Sequence, residues 1–477
     1  MKLLKHLTGY MPVSLANGLI GAGSVYVFTR LLGAEGYGRF GLLLAAFTLI
    51  QTLTLTWVEA SAYRFAGMAP SGQPRSDHFR TALELMVRSL ALTLVAIVIY
   101  ALLVRQDPVM LSGAAWIFVA IVGSSFLQMA LETHRADQRV GRFVSSELTH
   151  RLGGFALGAG IAYFMGLGAV SPIIGLAVAA LIVALREAPN IIRQAANGRF
   201  NAEKGRAWMG YGLPIAFALI LDVILSVADR FLIDIFVGKA AVGAYTAGYG
   251  LADKTVLMIC AWAAMAASPL LMEAYERGDQ QSVQKEAGNM VRTMLWLGVP
   301  AAFGLALVAR PLTEAMVDPS LQAQAERTVP WIAFAGLLNG LLVYYVSESF
   351  NLVRRTYLRA ALMLVPVTVN IALNLILLPK YGLMGAVYAT VASYALAVLV
   401  LGIAGRRLLA LPVPLLDLAR ISLAALAMWP VIYVLPDWGS WPEMFLKAGA
   451  GGVVYGTISL ILNIGGARDT LKALRSA

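Results

Sequence analysis

Long apolar runs alternate with short polar breaks along almost the whole chain. At about 20 residues per membrane-crossing helix, they predict an all-α polytopic membrane protein of about 14 spans. The first six fall at about 10–32, 37–65, 79–104, 111–133, 144–165 and 170–190. Eight more follow at about 208–237, 240–272, 288–309, 328–353, 357–378, 382–405, 415–435 and 443–464.

Composition removes the soluble alternatives. Of 477 residues, 59% are hydrophobic and only 13% charged, against roughly 25% charged in an average soluble domain. Mean hydropathy is +0.74, and a water-soluble fold this apolar cannot cover its surface. The net charge of +11 in a soluble protein would suggest nucleic acid. Here the basic residues fall in short clusters between apolar runs, the positive-inside pattern, so the expected surroundings are a lipid bilayer and no nucleic acid. Cys260 is the single cysteine, which excludes internal disulfides and Cys-based metal or haem sites. His6, His78, His134 and His150 are scattered and form no HExxH. Neither a metal nor a cofactor is expected.

The charged start followed by an apolar stretch resembles a signal peptide, but the stretch runs on to Leu32, too long for an h-region, and reads as a retained first helix. With Lys2 and Lys5 on the cytoplasmic side, about 27 of the 37 Lys and Arg residues share that side, about 8 take the other, and Arg230 and Lys254 lie within spans. Arg135, Arg139 and Arg142 form one such basic cluster, Arg193, Arg199, Lys204 and Arg206 another, and Arg406 and Arg407 a third. Both termini are therefore expected in the cytoplasm.

A longer period divides the spans into two sets. The hairpin LLGAEGYGRFGLLLA (31–45) is echoed about 205 residues later by IFVGKAAVGAYTAGYGLA (235–252). Gly33, Gly38 and Phe40 correspond to Gly238, Gly243 and Tyr245, each set in an outer turn between the first two helices of a six-helix unit. Six is even, so the bundles are related by an axis along the membrane normal, a parallel repeat of the kind found in transporters. The expected organisation is a six-helix bundle at 1–197, a basic linker at 198–207, a second six-helix bundle at 208–407, and two additional helices with a cytoplasmic tail at 408–477.

The segments YGLPIAFALILDVILSVADRFLIDIFVG (211–238) and AVGAYTAGYGLADK (241–254) resemble the signature of the polysaccharide transporter branch of the MOP exporter superfamily, the O-antigen and exopolysaccharide flippases. GAEGYGRF (33–40), SFNLVRRT (349–356) and NLILLPKYGLMGAVYAT (374–390) extend the resemblance over roughly 10–405. It implies alternating-access movement of a lipid-diphosphate-linked oligosaccharide, typically on undecaprenyl, from the inner to the outer leaflet of a bacterial inner membrane. Glycan-assembly proteins are its implied partners, and the protein is a transporter rather than an enzyme. Cavity charges vary within the family, so the motifs transfer no substrate residues.

Such a headgroup needs cations and hydrogen-bond donors inside the membrane, which makes ionisable residues within spans candidates by default. Asp222, Ser226 and Asp229 share one stripe of helix seven, with Arg230 beside it. Arg230 suits a phosphate contact and Asp222 a proton or sodium site; a structural ion pair of Asp229 with Arg230 is the competing reading. Helix eight adds Asp253 and Lys254, and Lys254 suits the diphosphate as a point charge. Arg30, Arg39 and Arg64 are further phosphate candidates, although the first two suit snorkelling to headgroups equally, and Arg64 a local pair with Glu59. Glu348 joins Asp222, Asp229 and Asp253 as an ion-coupling candidate. Asn370 and Asn374, at i and i+4, suit sugar hydroxyls or interhelical hydrogen bonds.

Other features read as structure. Gly36, Gly38 and Gly41 spell GxGxxG but follow a span rather than a strand, so no dinucleotide site is expected. Gly153, Gly154, Gly158 and Gly160 suit close helix packing, and Trp208, Trp331 and Trp438 suit interfacial anchors. No Walker A sequence is present, so energy would come from an ion gradient, the membrane potential or consumption of product. Two rival readings stand beside the flippase: a multidrug exporter of the same superfamily, and a membrane glycan polymerase or ligase, for which the longest outer loop, 310–328, offers only Glu314 and Asp318.

Overall fold

The computed structural model describes residues 2–66, 75–466 and 468, and no strand occurs among them. Most of the tail after Gly466 and the side chains of Lys2, Lys5, His6 and Arg75 lie outside the description. Eleven helices are long and apolar enough to cross a membrane, and a bent pair, Ala16–Thr54 with Thr56–Ala62 at 53°, makes a twelfth if taken as one span. The helix Val140–Met165, glycine-rich and carrying His150 and Arg151, is outside that set.

The chain divides into two compact units, Met1–Asp234 with Gly238–Gly243, and Ile235–Val237 with Ala244–Ala477. The first contains α1 (Lys2–Thr54), α2 (Thr56–Ala66), α3 (Arg75–Leu103), α4 (Pro108–Ala136), α5 (Val140–Met165), α6 (Ser171–Ala195), nearly all of α7 (Ala202–Phe236) and the start of α8 (Lys239–Glu276). The second contains the rest of α8, then α9 (Gln280–Leu307), α10 (Ala309–Met316), α11 (Pro319–Leu341), α12 (Glu348–Leu352), α13 (Thr356–Tyr381), α14 (Leu383–Leu408), α15 (Leu415–Leu426), α16 (Met428–Val434) and α17 (Ser440–Ile461).

In the first unit, α1 is two helices meeting at Gly33, whose φ of 66° and ψ of −178° break the helix where the sequence places its first turn. Small residues set the spacing elsewhere. A Cβ on Gly175 of α6 would meet the Gly158 nitrogen of α5 at 2.3 Å and the Gly154 oxygen at 2.4 Å, so these backbones touch as small-residue membrane interfaces do. Gly160 has open space beside it and takes no part. Leu127, Leu131, Phe143 and Val183 form a buried cluster of α4, α5 and α6.

The segment before α7 is fastened to α3. A Cβ on Gly198 would lie 2.1 Å from the Ser76 carbonyl oxygen, and the Arg199 amide donates to Asp77 Oδ1 at 2.7 Å. Trp208 corrects the expectation of an interfacial anchor: it is fully buried, stacked on Phe65 with centroids 5.9 Å apart. Close approach of α7 to α2 encloses it, with Ser61 Oγ donating to the Trp208 carbonyl at 2.9 Å. Trp331 and Trp438 are exposed, at 44% and 64%.

In the second unit, Gly340 and Gly298 make room around Cys260, whose Sγ would lie 2.6 Å and 3.5 Å from a Cβ at these positions. The last helices dock on α9. Arg292 of α9 donates to Asp417 of α15 at 2.7 Å, and Tyr455 of α17 donates its hydroxyl to the Trp296 carbonyl at 2.7 Å. Around fully buried Glu443, Arg310 Nη2 and Lys447 Nζ approach to 3.0 and 2.7 Å, and Asp437 accepts from Lys447 at 2.6 Å.

Candidate functional site

Six of the eleven candidate residues lie in the first unit and five in the second. In the first unit, the two glycine turns singled out by the repeat meet. A Cβ on Gly38 would lie 1.8 Å from the Lys239 carbonyl oxygen and 3.1 Å from the Gly243 nitrogen; one on Gly243 would lie 2.5 Å from the Ala34 oxygen. Only glycine permits this backbone contact.

Charges surround the contact. Arg39 Nε donates to Asp107 Oδ2 at 3.0 Å, and Glu35 stands 3.3 Å from Arg39 Nη1. Lys239 Nζ reaches both Asp107 at 3.7 Å and Asp234 at 3.5 Å. Asp107 also caps α4, accepting from the Val109 and Met110 amides, with Pro108 supplying the preset φ of the first helical position. Burial raises the Asp107 carboxyl, but the Arg39 hydrogen bond, the amide donors and the Arg39 charge outweigh it and hold the group below the ordinary aspartate range.

Arg39 is thus a member of a turn network. Arg30 is exposed, donating to the Tyr26 carbonyl at 2.9 Å with its guanidinium 4.0 Å over the Tyr26 ring. Arg64, also exposed, lies 5.8 Å from the Tyr211 ring centroid. On α7, Asp229 is fully buried, while Asp222 and Arg230 are half-buried. Arg230 Nη1 donates to the Ser226 carbonyl at 3.0 Å, so part of its donor fork is spent on its own helix.

In the second unit a ladder of hydroxyls joins α8 to α14. Tyr245 Oη lies 3.1 Å from Thr390 Oγ1, and one turn further Tyr249 Oη lies 3.4 Å from Tyr394 Oη. Another turn along α8, buried Asp253 accepts from Asn339 Nδ2 of α11 at 3.3 Å, and the backbone comes so near α11 that a Cβ on Gly336 would lie 2.9 Å from Asp253 Cα. Neighbouring Lys254 is exposed, so the adjacent opposite charges take different environments.

Asn370 and Asn374 are buried on α13, and Asn374 Nδ2 donates to the Asn370 carbonyl at 2.9 Å. Glu348 is half-buried and follows a π-helical turn, Leu342–Val346. Beside it Arg359 Nε donates to Ser347 Oγ at 2.8 Å, and π-turns of this kind recur at functional positions. Tyr245 enters the sequence reading only as a repeat position, and Tyr249, Thr390, Tyr394, Asp107, Lys239 and Asn339 do not enter it as candidates. The i, i+4 spacing of Tyr245 with Tyr249 and of Thr390 with Tyr394 was the available signal.

Buried hydroxyls, amides and carboxylates on long apolar helices define the class, a polytopic helical membrane protein. Residues 3–274 match the family described as polysaccharide biosynthesis protein, and residues 214–377 match the MatE family. The chain belongs to the polysaccharide biosynthesis protein family, within the MOP superfamily. It is 23% identical over 456 residues to the probable low-salt glycan biosynthesis flippase Agl15 of Haloferax volcanii, covering 93% of each chain. Its fold is similar to that of the lipid II flippase MurJ in an inward closed conformation, with a TM-score of 0.74 at 16% identity over 97% of this chain and all of the other. An inward-facing multidrug resistance MATE family transporter of the MOP superfamily gives a TM-score of 0.62 at 15% identity over 83% of this chain and 94% of the other.

Proposed function

We propose that this protein is a flippase that moves a lipid-diphosphate-linked oligosaccharide, of undecaprenyl type, from the cytoplasmic to the periplasmic leaflet of a bacterial inner membrane by alternating access. The observation that carries the reading is end-to-end similarity to a protein named as a glycan biosynthesis flippase, together with a fold shared over 97% of the chain with a lipid II flippase. Fourteen spans, in bundles at 1–197 and 208–407 with two more helices at 408–477, would place both termini in the cytoplasm, the side favoured by the basic loops.

Within that mechanism Arg30, Arg39, Arg64, Arg230 and Lys254 are the cationic contacts for diphosphate, with Asn370 and Asn374 as donors to sugar hydroxyls. Asp222, Asp229, Asp253 and Glu348 are the acidic groups through which a proton or sodium gradient would drive the cycle. Glycan-assembly proteins would supply the cargo and consume it.

Multidrug export is the second reading, favoured by the MatE match at 214–377. Deleting the gene in its host and analysing lipid-linked glycans by mass spectrometry separates the two. Accumulation of a lipid-linked oligosaccharide, reversed by the intact chain, is expected; unchanged intermediates with new sensitivity to cationic dyes would overturn the flippase reading.

A further inference from the structure

The first unit holds a cavity of about 370 Å³ where the end of α4, the start of α5 and the end of α6 meet. Arg139, Arg142 and Arg193 line it, with Thr133, His134 and Asn190. The lining includes one carboxylate, Glu187, and that group is engaged: it is 3% exposed, its oxygens lying 3.3 Å from His134 Nε2, 3.2 Å from Arg186 Nε and 3.5 Å from Ser146 Oγ.

Two of the three arginines, Arg142 and Arg193, have no carboxylate within 4.0 Å among the described residues. Arg193 donates to two neutral acceptors, Asn190 Oδ1 at 2.5 Å and the Pro189 carbonyl at 3.2 Å. Arg139 has Asp137 at 3.5 Å. Arg142 is exposed. His134 is 4% exposed, and both its ring nitrogens are buried without a hydrogen-bond partner, Nε2 standing 3.3 Å from Glu187. A buried ring nitrogen left unsatisfied costs free energy unless a ligand or water completes it.

Three guanidiniums, an imidazole and neutral hydroxyl and amide groups around one concavity form a receptor for a multiply charged oxyanion, since arginine forks match phosphate oxygens in pairs. We propose that this cavity is a phosphate-binding site, distinct from the polar groups on α7, α8 and α13. Its position at the ends of three helices suits a phosphate at the membrane interface, carried either by an anionic lipid headgroup or by a soluble diphosphate.

The test uses the full chain in nanodiscs. Pyrophosphate is titrated into protein in phosphatidylcholine discs, and retention of phosphatidylglycerol from mixed discs is followed by native mass spectrometry. The Arg142→Gln, Arg193→Gln double variant is compared with wild type and with an Arg406→Gln, Arg407→Gln control. Pyrophosphate binding that the first variant weakens at least about tenfold identifies a soluble diphosphate site. Phosphatidylglycerol retention alone, with the same loss, identifies a lipid headgroup site. Absence of both, or equal loss in the control, overturns the proposal. Arg142→Gln alone, at an exposed position without an ion pair, keeps the test valid if the double variant does not fold.

Discussion

Gly38 and Gly243, 205 positions apart in the chain, pack backbone to backbone, with a Cβ on either one falling well inside van der Waals contact distance of a carbonyl oxygen opposite. The residues that reveal the internal repeat are therefore residues of one contact. Gly38→Ala forces the turns apart, because the atom in its way, the Lys239 oxygen at 1.8 Å, is main chain and cannot rotate aside. The expected cost is about 1–3 kcal/mol, read as a lower melting temperature of the purified protein. Gly21→Ala, with nothing within 4 Å of its new methyl, is expected to leave that temperature unchanged or slightly raised.

The contribution of Asp107 beside this contact should be insensitive to pH until strong acid. The Asp107 carboxyl is held below its ordinary value, so its contribution is complete above the unfolded value of about 3.9 and is lost as pH falls through the lower folded value. Asp107→Asn preserves a capping side chain and removes the charge. The melting temperature of wild type is expected to exceed that of the variant by a constant margin from pH 8 to pH 5, equivalent to about 1 kcal/mol for such a part-exposed pair. The margin should close in stronger acid.

Glu443 anchors the last span, α17, to α10. It is fully buried with Arg310 and Lys447 on its oxygens, so Glu443→Gln leaves Lys447, 10% exposed in its side chain, without its buried counter-charge. Loss of one partner in such a buried group is expected to cost about 3 kcal/mol, whereas Asp437→Asn, at a carboxylate 61% exposed, should cost far less. Thermal unfolding of the two variants checks the ratio; equal destabilisation would place the anchor elsewhere.

Asp222 provides the test of energy coupling. With transport measured in proteoliposomes under an imposed proton or sodium gradient, Asp222→Asn is expected to retain gradient-independent movement and lose the stimulation. Undiminished stimulation would remove Asp222 from the coupling path.

Much of the helical frame was legible in hydrophobic run lengths, and the break at Gly33 falls in a turn readable in the sequence. Glycine spacing marked the Gly38 and Gly243 turns, because backbone contact leaves a signature in residue type. Side-chain partnership was less visible. Asp107 lies 68 positions from Arg39 and Asn339 lies 86 from Asp253, and a period of 3.6 says which residues share a helix face, not which helix stands opposite. For the same reason Trp208 reads as an interfacial residue by its place in the run, while tertiary packing against Phe65 and Ser61 encloses it. His134 looked isolated, since its partner Glu187 comes from two helices further along the chain.

The most direct test of the flippase account is leaflet accessibility in proteoliposomes. A fluorescent undecaprenyl-diphosphate oligosaccharide is incorporated with the purified chain, and a membrane-impermeant quencher is added outside. The account predicts that quenching proceeds beyond the outer-leaflet fraction seen in protein-free vesicles and approaches completion. Quenching that stops at the protein-free level, in vesicles where the chain is folded and inserted, would contradict it.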